Sequence, residues 1–157
     1  MKNIVLGVAL SGVAVSGCAG NAQDYNQHIV SEIQGTVSVS NFEETNQKLK
    51  AAFEKRKLTV FAVIDHAAGA KGAGLELAPN TLYIFGNPKA GTLLMQENSA
   101  LGMQLPLKAL VRQTPNGVVV SVSNIQEIAV QNGLPEDHPV VMKISGLLTQ
   151  IIAETTS

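Results

Sequence analysis

Residues Thr59 to Met95, TVFAVIDHAAGAKGAGLELAPNTLYIFGNPKAGTLLM, decide how this chain is built. Thr59–Ile64 is apolar at both alternating sets of positions, Val60, Ala62 and Ile64 on one and Phe61 and Val63 on the other. A strand of that kind is expected to be covered on both sides or to lie centrally in a sheet. Thr81–Phe85 is a second strand, ended by Gly86-Asn87-Pro88 because glycine and proline interrupt a ladder. Each strand closes in polar residues, Asp65-His66 and Asn87-Pro88-Lys89, followed by small ones. The reading places both ends on one edge of the sheet, so that Asp65, His66, Asn87 and Lys89 form a ligand-binding rim.

Working outward, Gly35–Ser40 alternates Thr36, Ser38 and Ser40 with Val37 and Val39, as an edge strand with one wet face does. Asn41 with Glu44 three positions on is a capping arrangement that starts a helix. Its apolar face is Phe42, Thr45, Leu49, Ala52 and Phe53, and its lysines and glutamates form a solvated face. Ala67–Gly74 holds three glycines and is a poor helix by propensity, although Asp65 is placed to cap a short one. A helix is expected over Ala90–Asn98. Leu107–Thr114 and Gly117–Ser123 flank Pro115-Asn116-Gly117 and should pair as a hairpin. A short helix over Asn124–Gln131 stops at Gly133. The last helix starts at Pro139 with Val140, Val141, Ile144, Leu147, Leu148, Ile151 and Ile152 as its core stripe. The hairpin excludes a doubly wound parallel sheet. What fits is an α+β two-layer sandwich, an antiparallel or mixed sheet of about five strands with helices packed on one face.

The first 34 residues are not expected to join that fold. Lys2, the apolar run Ile4–Val15 and the small residues before Cys18 read as a signal peptide over residues 1–17, too short to span a bilayer, which takes roughly 20 apolar residues. Val15-Ser16-Gly17-Cys18 resembles the bacterial lipobox, which implies cleavage before Cys18 and acylation, with palmitate among the acyl chains, as a stable membrane anchor. Cys18 is the single cysteine, so it forms no internal disulfide. Ala19 rather than an aspartate follows, which favours the periplasmic face of the outer membrane. Residues 18–34 are polar and read as a flexible tether that includes His28, reaching on the order of 20 Å. Residues 35–157 remain as one domain. Lys and Arg number 11 against 12 Asp and Glu, and aromatic residues make up 4% without a tryptophan, so nucleic acid is excluded as a partner.

Asp65-His66, Phe85-Gly86-Asn87-Pro88-Lys89, Gly91-Thr92 with Leu94-Met95, and Leu105-Pro106-Leu107 resemble, in order and spacing, the domain of unknown function 302 family over about Val37–Ala153. The resemblance implies a small α+β domain, a tendency to homodimers, and no assigned biochemical role. Members often carry an aromatic residue and an aspartate where this chain has Val122 and Asn124, which counts against an activity needing those groups.

The candidate chemistry has two readings at each position. Asp65 and His66 are adjacent, so an extended strand points them to opposite faces. Either Asp65 caps a helix and His66 is a packing residue, or His66 is an acid/base group that Asp65 orients. Gly86–Thr92 lacks the lysine before Thr92 that a phosphate-binding Walker loop uses. What remains is either a tight turn with a solvated lysine or a helix start whose free amides, with Lys89, hold a small anion. Gly69–Gly74 has the wrong glycine order for a dinucleotide site. His66, His138, Met95, Met103 and Met142 include no ligand-spaced pair, so no metal and no cofactor is expected. G-x-S-x-G and H-E-x-x-H are absent.

Overall fold

Five strands form one fully antiparallel sheet in the computed structural model, which describes residues 35–157. The segments expected to be a signal peptide (residues 1–17) and a tether (residues 18–34, with His28), and the expected acylation site Cys18, lie outside the described residues. In chain order the elements are β1 (Thr36–Ser38), α1 (Phe42–Lys55), β2 (Thr59–Asp65), α2 (His66–Gly72), β3 (Asn80–Gly86), α3 (Pro88–Glu97), a 3₁₀ turn (Ser99–Met103), β4 (Leu107–Thr114), β5 (Gly117–Val122), α4 (Ile125–Gln131) and α5 (Pro139–Thr156). The sheet runs β1-β5-β4-β3-β2.

Local chemistry accounts for the boundaries. Asn41 Oδ1 accepts from the Glu44 amide at 2.9 Å and starts α1. Asp65 Oδ1 accepts from the Ala68 amide at 2.9 Å, and that cap carries α2 over a glycine-rich stretch of poor propensity. Pro88 and Pro139 open α3 and α5 at positions where the missing amide costs nothing. Gly117, at φ 120°, lets the β4–β5 turn close.

One sheet face carries the core. Tyr83 and Phe85 of β3, Leu107, Ala109 and Val111 of β4, and Val118 and Val120 of β5 are buried beneath Leu49, Ala52 and Phe53 of α1 and Val141, Leu148 and Ile151 of α5. Phe53 stacks on Phe85 at a 4.3 Å centroid separation and meets Tyr83 edge-on at 6.0 Å. The Tyr83 hydroxyl donates to Asn46 Oδ1 at 2.7 Å, and burial, with a smaller contribution from Glu43, holds the phenol above its ordinary range. The α+β two-layer architecture with helices on one face is therefore the observed one.

Strand β2 departs from expectation. It is an outer strand bonded to β3 alone, and Val60, Phe61, Val63 and Ile64 are 39–53% exposed. Alternation that is apolar on both sides signals that both faces suit burial. It carries no information about whether this chain supplies the cover. A bulge between Val60 and Ala62 also turns Phe61 out of the simple alternation.

Candidate functional site

The antiparallel register separates the two strand ends that were expected to meet. Asp65 pairs with Thr81 at one end of the β2–β3 ladder, and Thr59 pairs with Gly86 at the other. The two β2 residues are six positions apart along the strand, about 20 Å of extended chain. Asp65 and His66 therefore stand at one end of the sheet and Asn87 and Lys89 at the opposite end, so the four do not form one rim. Two strands that both end in polar residues share an edge only if they run parallel, and nothing within either strand encodes direction.

The individual side chains have local roles. The Asp65 carboxylate is engaged by the Ala68 amide, and His66 is an exposed first residue of α2, so no Asp–His hydrogen bond forms between them among the described residues. Asn87 Oδ1 accepts from the amides of Lys89 at 3.0 Å and Ala90 at 3.3 Å. The amides at the start of α3 are thus occupied by the protein's own carboxamide and not offered to an anion. His138 Nε2 lies 3.0 Å from Glu97 Oε1, tying the start of α5 to the end of α3. Among the described residues no three His, Cys, Asp or Glu side chains gather as a metal would need.

At the Asn87–Lys89 end the fold opens a cavity of about 560 Å³. Its floor is the sheet at Phe85 and Leu107, and its walls are α3 and α5, with Leu58 and the bulged Phe61 at the side. Val140, Ile144, Leu147 and Leu148 line it, whereas Val141 and Ile151 of the same helix are fully buried in the core. The apolar stripe of α5 is wider than the core requires, and the surplus faces the cavity. Three cations, Arg56, Lys89 and Lys143, line it and no acid does. A volume of this size with apolar walls and few charged groups has the character of a small-molecule site.

One of the cations is already compensated. Arg56 donates to both oxygens of Glu154, at 2.8 and 2.9 Å, and Lys55 approaches at 3.2 Å. The Arg56 hydrogen bonds, with Lys55 adding to them, lower the Glu154 carboxyl from the usual 4.5 to about 2. A depressed carboxyl stabilises the fold above its unfolded value and ceases to do so as the pH falls through its folded one. The difference in Tm between the wild type and Glu154→Gln is therefore expected to be small, to be full above pH ~4.5 and to vanish toward about 2. Thermal melts of both chains over that range measure it; a gap that widens on acidification contradicts the pairing.

Sequence comparison extends across this architecture. The family model described as "Domain of unknown function DUF302" matches residues 34–154. A protein of Brucella suis biovar 1 named "Fluoride-specific ion channel FluC 1" is 39% identical over 101 residues, covering 64% of this chain and 40% of that protein. One of the same name from Brucella abortus biovar 1 is 39% identical over 101 residues and covered to 37%. The chain thus spans about two-fifths of the length of these relatives. A crystal structure of an uncharacterized conserved DUF302 protein from Bacillus stearothermophilus superposes with a TM-score of 0.71 at 16% identity, over 78% of this chain and 96% of that one. With the family model matching most of its length, the chain belongs to the DUF302 family.

Proposed function

We propose that this is a membrane-anchored, periplasm-facing lipoprotein whose domain binds a small ligand carrying negative charge, and that the binding site is the cavity between α3 and α5. The observation that carries the reading is the lining, an apolar surface with three cations and no acid in a chain whose formal net charge is only -1. Lys89 and Lys143 meet no carboxylate among the described residues, so their charge is available to a ligand. A ligand held only by the folded state raises its stability by about 2.7 kcal/mol at a hundredfold excess over Kd. Thermal shift of the domain against a panel of anionic and neutral metabolites should give hits for the wild type that disappear in Lys89→Ala/Lys143→Ala. Equal, flat profiles for both remove the site.

The anchor rests on Val15–Cys18 and is tested by labelling with a palmitate analogue, which Cys18→Ser should abolish. The named relatives suit a place at a membrane, because they are called ion channels. Among the described residues here no helix is long and apolar enough to cross one, so on this reading the domain is held at the membrane from outside.

A second reading adds a partner. The exposed apolar residues of β2, with Leu75 and Leu77 at 66% and 49% exposure in the segment leading into β3, favour pairing with a second copy along that strand. Light scattering should give a dimer for the domain and a monomer for Val63→Lys/Ile64→Lys. A monomeric wild type at high concentration ends this second reading.

A further inference from the structure

In β3 and β4 every buried side chain lies on the face beneath the helices. The opposite face is not polar, as the wet face of an antiparallel sheet ordinarily is. Ile64, Leu82 and Leu110 form a row across β2, β3 and β4, with Ala62 and Ile84 in the next row, and none of the five is buried. The charged side chains of this face are Lys108 and Arg112, opposite Ile84 and Asn80, and no acid of the described strands shares it. Asn80 Oδ1 and Ser121 Oγ, on the same face, are buried without a hydrogen-bond partner. A contiguous apolar patch beside unsatisfied polar atoms marks a surface that something covers.

The chain meets this face where its described part begins. A Cβ at Gly35 would collide with Val119 Cγ1 and stand 2.5 Å from Ser121 Oγ, two side chains of the open face, so glycine lets the backbone lie directly against β5 there. Just before it, residues 24–33, DYNQHIVSEI, carry Asp24 and Glu32 with no lysine or arginine, and supply Tyr25, Ile29, Val30 and Ile33. The segment thus matches the face in apolar content and opposes it in charge. Ten extended residues reach about 33 Å, and the four strand spacings from β1 to β2 amount to about 19 Å. We propose that residues 24–33 fold back over the open face, their apolar side chains on the row of Ile64, Leu82 and Leu110 and their two carboxylates toward Lys108 and Arg112. Because the segment is joined to Gly35, it meets the face at the roughly millimolar effective concentration of a short linker, ahead of a separate partner. The inference goes beyond the ligand-binding reading and is independent of the cavity. On the anchor reading it leaves residues 18–23 as the free tether, which brings the domain to about 13 Å from the membrane.

The chain from Ala19 to Ser157 contains the whole core and no cysteine, so a Gln27→Cys substitution carries a nitroxide at one position. The label should broaden the amide resonances of Leu82, Ile84 and Leu110 and spare those of α1 and α5 on the other side of the sheet. Asp24→Lys/Glu32→Lys, which lies outside the core, should abolish that broadening, and added salt should weaken it. Broadening no stronger at β3 and β4 than on α1 and α5 means that the segment is a free tether and overturns the proposal. Broadening seen only between a spin-labelled copy and a separate isotope-labelled copy assigns the face to a second chain instead. An unchanged pattern in Asp24→Lys/Glu32→Lys overturns the charge pairing. Binding of residues 35–157 to phosphatidylglycerol but not phosphatidylcholine vesicles, with no broadening in the longer chain, overturns the proposal in favour of a lipid surface.

Discussion

Phe53→Ala is expected to cost about 3–5 kcal/mol of unfolding free energy, the range for removing a large aromatic side chain from a packed interior. The ring is 1% exposed and lies between the two aromatic residues of β3, stacked on Phe85 and edge-on to Tyr83. Its loss removes both ring contacts and leaves a void that Leu49 and Ala52, fixed on the same helix, are poorly placed to fill. It also loosens α1 over Tyr83, whose hydroxyl reaches Asn46 about two turns earlier on that helix. Domains of this size have about 5–15 kcal/mol in all, so the variant should be marginal at room temperature. Urea unfolding of the two chains, compared at unchanged m-value, measures the effect. A loss below about 1 kcal/mol would mean that α1 does not pack on β3 as described.

Gly91→Leu is expected to act in opposite directions on stability and on binding. Gly91 lies within α3 and its φ is not in the left-handed region, so glycine there weakens the helix by about 0.5–1 kcal/mol relative to alanine. A Cβ at this position would meet Leu105 Cδ1 at 3.8 Å, an ordinary contact with a residue of the cavity wall. A leucine should therefore raise the Tm while its remaining carbons occupy the space a ligand would use. Affinity for any cavity ligand should fall by more than about tenfold, since overlap with a filled volume cannot be relieved without moving α3 or β4. Melting curves and titrations on the same preparation separate the cases. A general loss of structure would lower both quantities, and undiminished binding at a raised Tm would place the ligand elsewhere.

Much of the fold could be read along the chain because its signals are local. Asn41, Asp65 and Asn87 cap the helices that follow them, and the Pro115-Asn116-Gly117 turn joins two paired strands. The stripe on α1 identified the face of that helix that packs. The resemblance to the DUF302 family lay in short motifs and needed no geometry. The same capping residues misled about the site. Asp65 and Asn87 suggest a shared rim when read along the chain, whereas each serves the first turn of its own helix, at opposite ends of the sheet.

The amino-acid sequence by itself determined which segments are strands and helices, which of their faces are apolar, and the family, because these depend on side-chain period, capping and turn chemistry within a few residues. Only the tertiary structure decided that β2 lies at the edge, that Asp65 and Lys89 are separated by the length of a strand, and that Val140, Lys143 and Ile144 face Lys89 and Met95 across a cavity. The reason is physical. Strand direction, and the packing of residues about fifty positions apart, are settled by which arrangement buries the most surface over the whole chain, and no local pattern encodes that sum.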